Sequence, residues 1–454
     1  MKKFITTIIL AVAALFAFPL NGCKNSESGS ANLDFRLYTG GESYYVAGIG
    51  KEISSYIVIP SEHNGKPVCG VGGKSFMGNK NITGVEIPSS IEWVGVSAFR
   101  DCPALKKVVW NAVAARTNEE KYHNRVFLGS ENIEEFVIGS SVEAIPGGLF
   151  AYSNGSKITD ITLPAGLKKV AANTFSSVNR ININVASMKK WLAVEKAGNG
   201  APLATYYTLT IGGEAVETLD LSGITELREN EFAGCTNVKN VKFGAETTAV
   251  ARSAFAGCSS FASASVDSGN PEFYEKSGVV YSASDNTFAV IPLALGGEVE
   301  LPYGVPSVPD GTFSGTPIEK IVIPGSVGSI GKNAFDGCKS LTAVTIGEGT
   351  TTIHDGAFGG CGALIGVMIP QSVTSVGENV FADSPLLSIY YRGETLPGGV
   401  NWQTLPVWLY SETAPSVSGN YWHYAEDGIT PVKWDPVPAD DRINGPSRPA
   451  SRIS

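Results

Sequence analysis

The chain has 454 residues, with 43 acidic against 34 basic side chains, and its net charge of −9 argues against nucleic acid and against adsorption to anionic lipid. Its 52 glycines, 25 prolines and only 17% charged residues describe a backbone that turns often and makes few long helices. At this length, internal repeats are a better expectation than one large globular core.

The N-terminus comes first. Met1-Lys2-Lys3 is basic, Phe4 to Leu20 is almost wholly apolar, and Leu20-Asn21-Gly22-Cys23 follows. An apolar run this short is marginal as a spanning helix, and Gly22 before a cysteine reads as a cleavage point. The arrangement resembles a bacterial lipoprotein signal. The resemblance implies a signal peptide over 1–22, lipidation of Cys23 and export. Lys24 after the cysteine implies sorting to the outer membrane, with a cell-surface position expected from it. An ordinary cleaved secretory signal is the alternative reading, and a single-pass anchor a third. Residues 23–32, rich in Ser and Gly, read as a flexible tether.

Residues 33–63 read as an N-terminal cap, with a hairpin from Phe35 to Val46 across Gly40-Gly41 that covers an otherwise open strand edge. Residues 64–391 carry a repeat. It is seen most clearly in Ile323 to Ile346, where Val327, Ile330, Gly331, Ala334-Phe335, Gly337-Cys338, Leu341, Val344 and Ile346 each fall in a slot that the next copy refills with Ile353, Ala357-Phe358, Gly360-Cys361, Leu364, Val367 and Ile369. The phenylalanines at 76, 99, 127, 150, 175, 232, 255, 313, 335, 358 and 381 mark about eleven rungs, mostly 22 or 23 residues apart. Val344 and Ile346, two apart, supply the core side of a short strand. Prolines 88, 164, 324 and 370 end such strands, because proline cannot donate to a ladder. Gly331 is expected to make the turn, and the Ala-Phe pair to let stacked rungs interdigitate.

The pattern I-P-x-x-V-x-x-I-G-x-x-A-F-x-G-C-x-x-L-x-x-V-x-I-P resembles the BspA-like (Treponema-type) leucine-rich repeat of bacterial surface lipoproteins, over about 64–391. The fold expected is β-rich: a right-handed leucine-rich-repeat solenoid with parallel strands, hairpin inserts and β caps. The resemblance implies attachment to host matrix proteins or to other bacteria.

Two long gaps between phenylalanines predict inserts near 183–222 and 264–303. The first holds a short helix over Ala186 to Glu195 and a hairpin whose arms, Thr208–Ile211 and Glu214–Leu219, meet at Gly212-Gly213. The second holds a hairpin of Val279–Tyr281 with Thr287–Ile291. Residues 392–434 read as an aromatic C-terminal cap and 435–454, without periodicity, as a disordered tail.

Candidate chemistry is sparse. Cys102, Cys235, Cys258, Cys338 and Cys361 all lie three residues after a repeat phenylalanine, which suits a ladder of small buried groups better than disulfides; Cys69 is outside that slot. His63, His123, His354 and His423 are scattered. Gly73-Lys74-Ser75 lacks the first glycine of a phosphate loop, Val68 standing in its place. No metal, cofactor or catalytic residue is expected, and the chain is not read as an enzyme. Two features can bind. The first is the outward column of the strands, Glu86, Val109, Val137, Thr162, Lys242, Val322, Thr345 and Met368, a low-charge sheet face suited to an extracellular protein, from host matrix or a bacterial surface. The second is the aromatic end, Trp402, Trp408, Tyr421, Trp422 and Tyr424, which could stack on a glycan. Contact with a membrane is expected only through the lipid anchor. The leading expectation is an adhesion or protein-interaction module; the alternative is a glycan-binding surface lipoprotein.

Overall fold

A computed structural model describes residues 29–30, 32–117, 126–150, 157–171, 174–175, 178, 180–196, 206–393, 396, 406–413, 419–427 and 430–434. The signal segment, Cys23, most of the tether, His123, Trp402 and the tail after 434 lie outside these residues. The described chain is a parallel β-solenoid of about 14 turns with almost no helix. It forms two compact units, one ending at Val178 and the other beginning at Asn179.

In the first unit, two parallel ladders run side by side. The front ladder stacks Tyr56–Val58, Gly84–Ile87, Lys107–Trp110 and Glu135–Ile138 without a register shift. The second stacks Tyr44–Gly48, Lys66–Val71, Trp93–Val94 and Arg116–Thr117. The N-terminal hairpin pairs Asp34–Leu37 antiparallel to Tyr44–Gly48 at its edge.

The second unit repeats the plan. A front ladder of Thr218–Leu221, Asn240–Phe243 and Ser263–Val266 ends at a three-stranded antiparallel meander, Phe273–Lys276, Val279–Ser282 and Phe288–Val290. A longer front ladder then runs from Gly297–Glu300 through Ile318–Ile323, Ala343–Ile346, Gly366–Ile369, Ser388–Tyr391 and Val407–Tyr410 to Tyr421–Tyr424, closed by antiparallel Pro431–Lys433. Strand alternation sends Val344, Ile346, Val367 and Ile369 into the core and their neighbours outward.

The phenylalanines stack ring on ring, rather than each against a neighbouring alanine. Phe313–Phe335 and Phe335–Phe358 sit 5.2 and 5.0 Å apart, within 5° and 1° of parallel; Phe76–Phe99 and Phe150–Phe175 are 4.8 Å apart in the first unit. The meander continues the aromatic packing through Tyr281, Phe288 and Phe313.

The turn before each ring differs from expectation. Gly331 does not take a positive φ; Asn333, two residues before Phe335, does, at 53°. The slot is left-handed in other rungs too, as at Asn230 and Asn379, and asparagine tolerates it best after glycine. Gly331 is instead a point of close approach, since a Cβ there would lie 2.6 Å from the backbone of Asp310 in the preceding rung. The glycine two after the ring, as in Gly337 at φ 70°, is the other left-handed residue.

Two inserts also differ in detail. The helix is shorter than expected, Met188–Ala193, and is capped by Ser187, whose hydroxyl accepts from the Lys190 amide. The first hairpin closes early: Tyr206–Ile211 pairs with Glu214–Ala215, while Thr218–Leu221 leaves it to found the next parallel ladder. Tyr206–Ile211 also pairs in parallel with Arg180–Val185. Such strands, like Val407–Tyr410 and Tyr421–Tyr424, carry no repeat phenylalanine, and counting rings therefore gives eleven rungs where about 14 turns exist.

Candidate binding surfaces

The cysteine slot has a structural explanation. Cys102, Cys258, Cys338 and Cys361 are buried free thiols, and each donates from Sγ to the carbonyl oxygen of the phenylalanine one rung earlier, at 3.1–3.2 Å. Where the slot holds serine, the hydroxyl makes the same bond: Ser130 to Phe99 at 2.6 Å and Ser384 to Phe358 at 2.9 Å. The slot therefore selects a small side chain that can donate. Burial pushes the thiols up, to about 11 for Cys102 and about 12 for Cys258 and Cys361. Cys69, outside the slot, is also buried and lies 3.2 Å from the Ser43 hydroxyl.

The outward column is not one column but separate runs. In the first unit Val58, Glu86, Val109 and Val137 stand in consecutive register. Beside them the Tyr56 ring lies over Gly84, and Lys107 pairs with Glu135 at 2.8 Å. Thr162, in Asp160–Thr162, is exposed but belongs to another sheet. In the second unit Lys242 stands between Asp220 and Ser265. It is part of a charged face, pairing with Asp220 at 3.7 Å beside a Lys239–Glu217 pair at 2.7 Å. Lys242 thus does not join an apolar surface.

The last run is different. Glu300, Val322, Thr345, Met368, Tyr390 and Trp408 occupy successive positions of one ladder. The apolar column and the aromatic end, separate features in the sequence, are thereby continuous. Val322 is 41% exposed. Ile365 and Leu387, which sequence reasoning missed, immediately precede two strands of this ladder and are 57% and 70% exposed on adjacent rungs, joined by a 2.8 Å bond from the Leu387 amide to the Ile365 carbonyl. The available signal was a broken pattern, since the preceding rungs hold Thr342 and Glu319 at that place.

At its far end the strip is covered. Trp422 is fully buried, with Tyr390, Tyr410 and Tyr424 rings 5.6, 5.1 and 4.9 Å away and its Nε1 donating to the Tyr391 carbonyl at 3.1 Å. It has no surface to offer a sugar, contrary to its place among the candidate glycan residues. Tyr424 reaches back with its hydroxyl 3.6 Å from the Met368 sulfur, and Arg392 ties Tyr424 to Glu348. Trp408 lies under the Lys433 ammonium at 4.3 Å; Tyr421 and Tyr424 are half-buried.

Elsewhere in the second unit a buried ion cluster secures the first insert. Lys196 pairs with Glu231 and lies 4.2 Å over the Trp191 ring, while Arg228 bonds Glu231 and the carbonyls of Leu192 and Val194. Burial, only partly offset by Glu231, lowers Lys196 to about 8. A small cleft of about 260 Å³ lies between Arg252, Phe288, Pro306 and Asp310. Among the described residues no group of three or more His, Cys, Asp or Glu could hold a metal ion, and no helix is long and apolar enough to cross a membrane.

The sequence matches the model of the BspA type leucine rich repeat region in six copies, over residues 59–191, 214–277 and 284–394. Solved structures with a similar fold include a leucine rich cell surface protein from Faecalibacterium prausnitzii, at 19% identity and TM-score 0.42 over 80% of this chain and 88% of that one. A leucine-rich repeat protein from Bacteroides ovatus aligns at 16% identity and TM-score 0.45, over 84% and 94%. The pneumococcal vaccine antigen PcpA aligns at 17% and 0.38, over 85% and 93%. No curated protein matches the sequence.

Proposed function

Since the chain belongs to the family of BspA-type leucine-rich repeat proteins, we propose that it is a surface-exposed adhesion or protein-interaction module whose contact surface is the apolar outer face running from Val322 toward Trp408. Repeat solenoids of this kind are binding scaffolds: each turn contacts only its neighbours, so side chains outside the core slots are free to vary. The observation that carries the reading is the alignment of Val322, Thr345 and Met368 in one register, beside the exposed Ile365 and Leu387. Exposed apolar side chains gathered on neighbouring rungs, outside the core slots, support a contact site there. The partner is an extracellular protein, of host matrix or of a bacterial surface. On this reading the N-terminal segment, which resembles a lipoprotein signal, tethers the module to the outer membrane through Cys23.

Glycan binding at the C-terminal aromatics has less support, because Trp422 is buried and Trp408 is covered by Lys433. Binding of the purified chain to immobilised extracellular-matrix and bacterial surface proteins tests the proposal. Saturable binding is expected, and it should fall at least tenfold when Val322, Thr345 and Ile365 are changed together to glutamate. Undiminished binding by that variant would remove this face from the account.

A further inference from the structure

The second ladder of the first unit departs from the rest of the repeat at its outward slot. Tyr45, Gly70, Trp93 and Arg116 stand there in successive register, the first three each one residue before a buried valine. In the second unit the corresponding slot holds Ser307, Ser329, Thr352 and Ser375. Among the described residues no other second-ladder rung puts an aromatic there. The Trp93 ring lies against the Gly70 backbone, so close that a Cβ on Gly70 would meet ring atoms at 2.1–2.6 Å. Tyr45 and Tyr38 approach the ring at 5.6 and 5.4 Å, and Tyr38 is 42% exposed. Trp93 is only partly buried, and its Nε1 has no hydrogen-bond partner among the described residues. Arg116, on the rung beside Trp93, is exposed and has no ion pair among the described residues; its backbone amide donates to the Glu92 carbonyl at 2.7 Å.

We propose that Tyr38, Tyr45, Trp93 and Arg116 form a carbohydrate subsite for a pyranose bearing a carboxylate. The apolar C–H face of a sugar ring stacks on aromatic rings, and polar groups at the rim bond its hydroxyls. The Arg116 guanidinium matches a sugar carboxylate bidentately, which selects uronates or sialates over neutral sugars. This site is independent of the protein-binding face, and either can fail alone.

The full chain on an array of uronate-containing, sialylated and neutral oligosaccharides is the test, followed by titration of hyaluronan hexasaccharide against cellohexaose if uronates bind. Acidic glycans should bind, with at least tenfold loss in Tyr38→Ala, an exposed position whose change leaves the fold intact, and in Trp93→Ala. Trp93→Phe should keep most of the affinity, and Arg116→Ala should abolish the preference for acidic over neutral sugars. No binding on the array, or binding that survives Tyr38→Ala and Trp93→Ala, overturns the subsite. Equal binding of neutral and acidic sugars, unchanged in Arg116→Ala, overturns the assignment of an acidic ligand.

Discussion

The front ladder from Thr218 to Val266 and the one from Gly297 to Tyr424 use the same core slots and present different outer faces. Inside, Phe232 and Phe255 stack as Phe335 and Phe358 do, and Cys258 bonds the preceding ring's carbonyl as Cys361 does. Outside, the first ladder shows Asp220, Lys242, Glu217 and Lys239 in cross-rung ion pairs, whereas the second has one such pair, Lys320 with Glu298, at its start and then shows Val322, Thr345, Ile365 and Leu387. Core positions must be refilled in every rung, because no rung buries its apolar face alone. Outer positions are under no such demand. Where they depart from polar residues, as in the strip at 322–387 or at Trp93, something other than folding is the natural cause.

The largest expected effect strikes the buried thiols of both units. The unfolded thiols ionise near 9, while Cys102 titrates at about 11 and Cys258 and Cys361 at about 12 in the fold. Their contribution to stability is full below pH 9 and is lost as pH rises from there through about 12. Lys196 works in the opposite sense: lowered to about 8, it adds stability between 8 and 10.5, but as one group against several thiols. Denaturant midpoints measured from pH 8 to 11 should therefore fall, and a flat or rising profile would contradict the buried thiol ladder. Next, Phe255→Ala and Phe335→Ala should each destabilise by about 3–5 kcal/mol in denaturant unfolding. A large loss in one and a small loss in the other would break the equality of the cores.

The surfaces should part company where the cores do not. Lys242→Glu should leave partner affinity within roughly threefold and stability within about 1 kcal/mol, since exposed ion pairs contribute little. Glutamates at Val322, Thr345 and Ile365 should remove at least about 1.4 kcal/mol of binding, the tenfold loss expected above, while the chain stays folded. The smallest effect separates size from chemistry in the cysteine slot. Cys361→Ser should be near neutral, because Ser384 and Ser130 already make that bond, whereas Cys361→Val should lose about 1 kcal/mol. Equal stability of the two variants would reduce the slot to a matter of volume.

The repeat, its core and the family were legible in the sequence because a period of 22 or 23 residues repeats eight or more slots together. The inserts were legible through Gly212-Gly213 and through strand alternation on either side of it. Three features were not. Gly331 and Asn333 both suit a turn, and only the backbone angles show that the asparagine carries the left-handed bend while Gly331 serves the close approach to Asp310. The outward residues could be named from alternation, but whether they join depends on which rungs are hydrogen-bonded, and the meander at 273–290 separates Lys242 from Val322. Trp422 has the parity of an outward residue, sharing a face with Tyr410 and Trp408; it is buried because the C-terminal strands bring Tyr410 and Tyr424 over it. That covering is a tertiary event with no local signature.

The most direct test of the apolar face is amide hydrogen exchange of the chain with and without a bound partner from the matrix or bacterial-surface panel. Binding should slow exchange across Ala343–Ile346 and Gly366–Ile369 and in the segment leading to Leu387, and leave Asn240–Phe243 unchanged. Protection over Asn240–Phe243, or none in the strands from 343 to 369, would contradict the account.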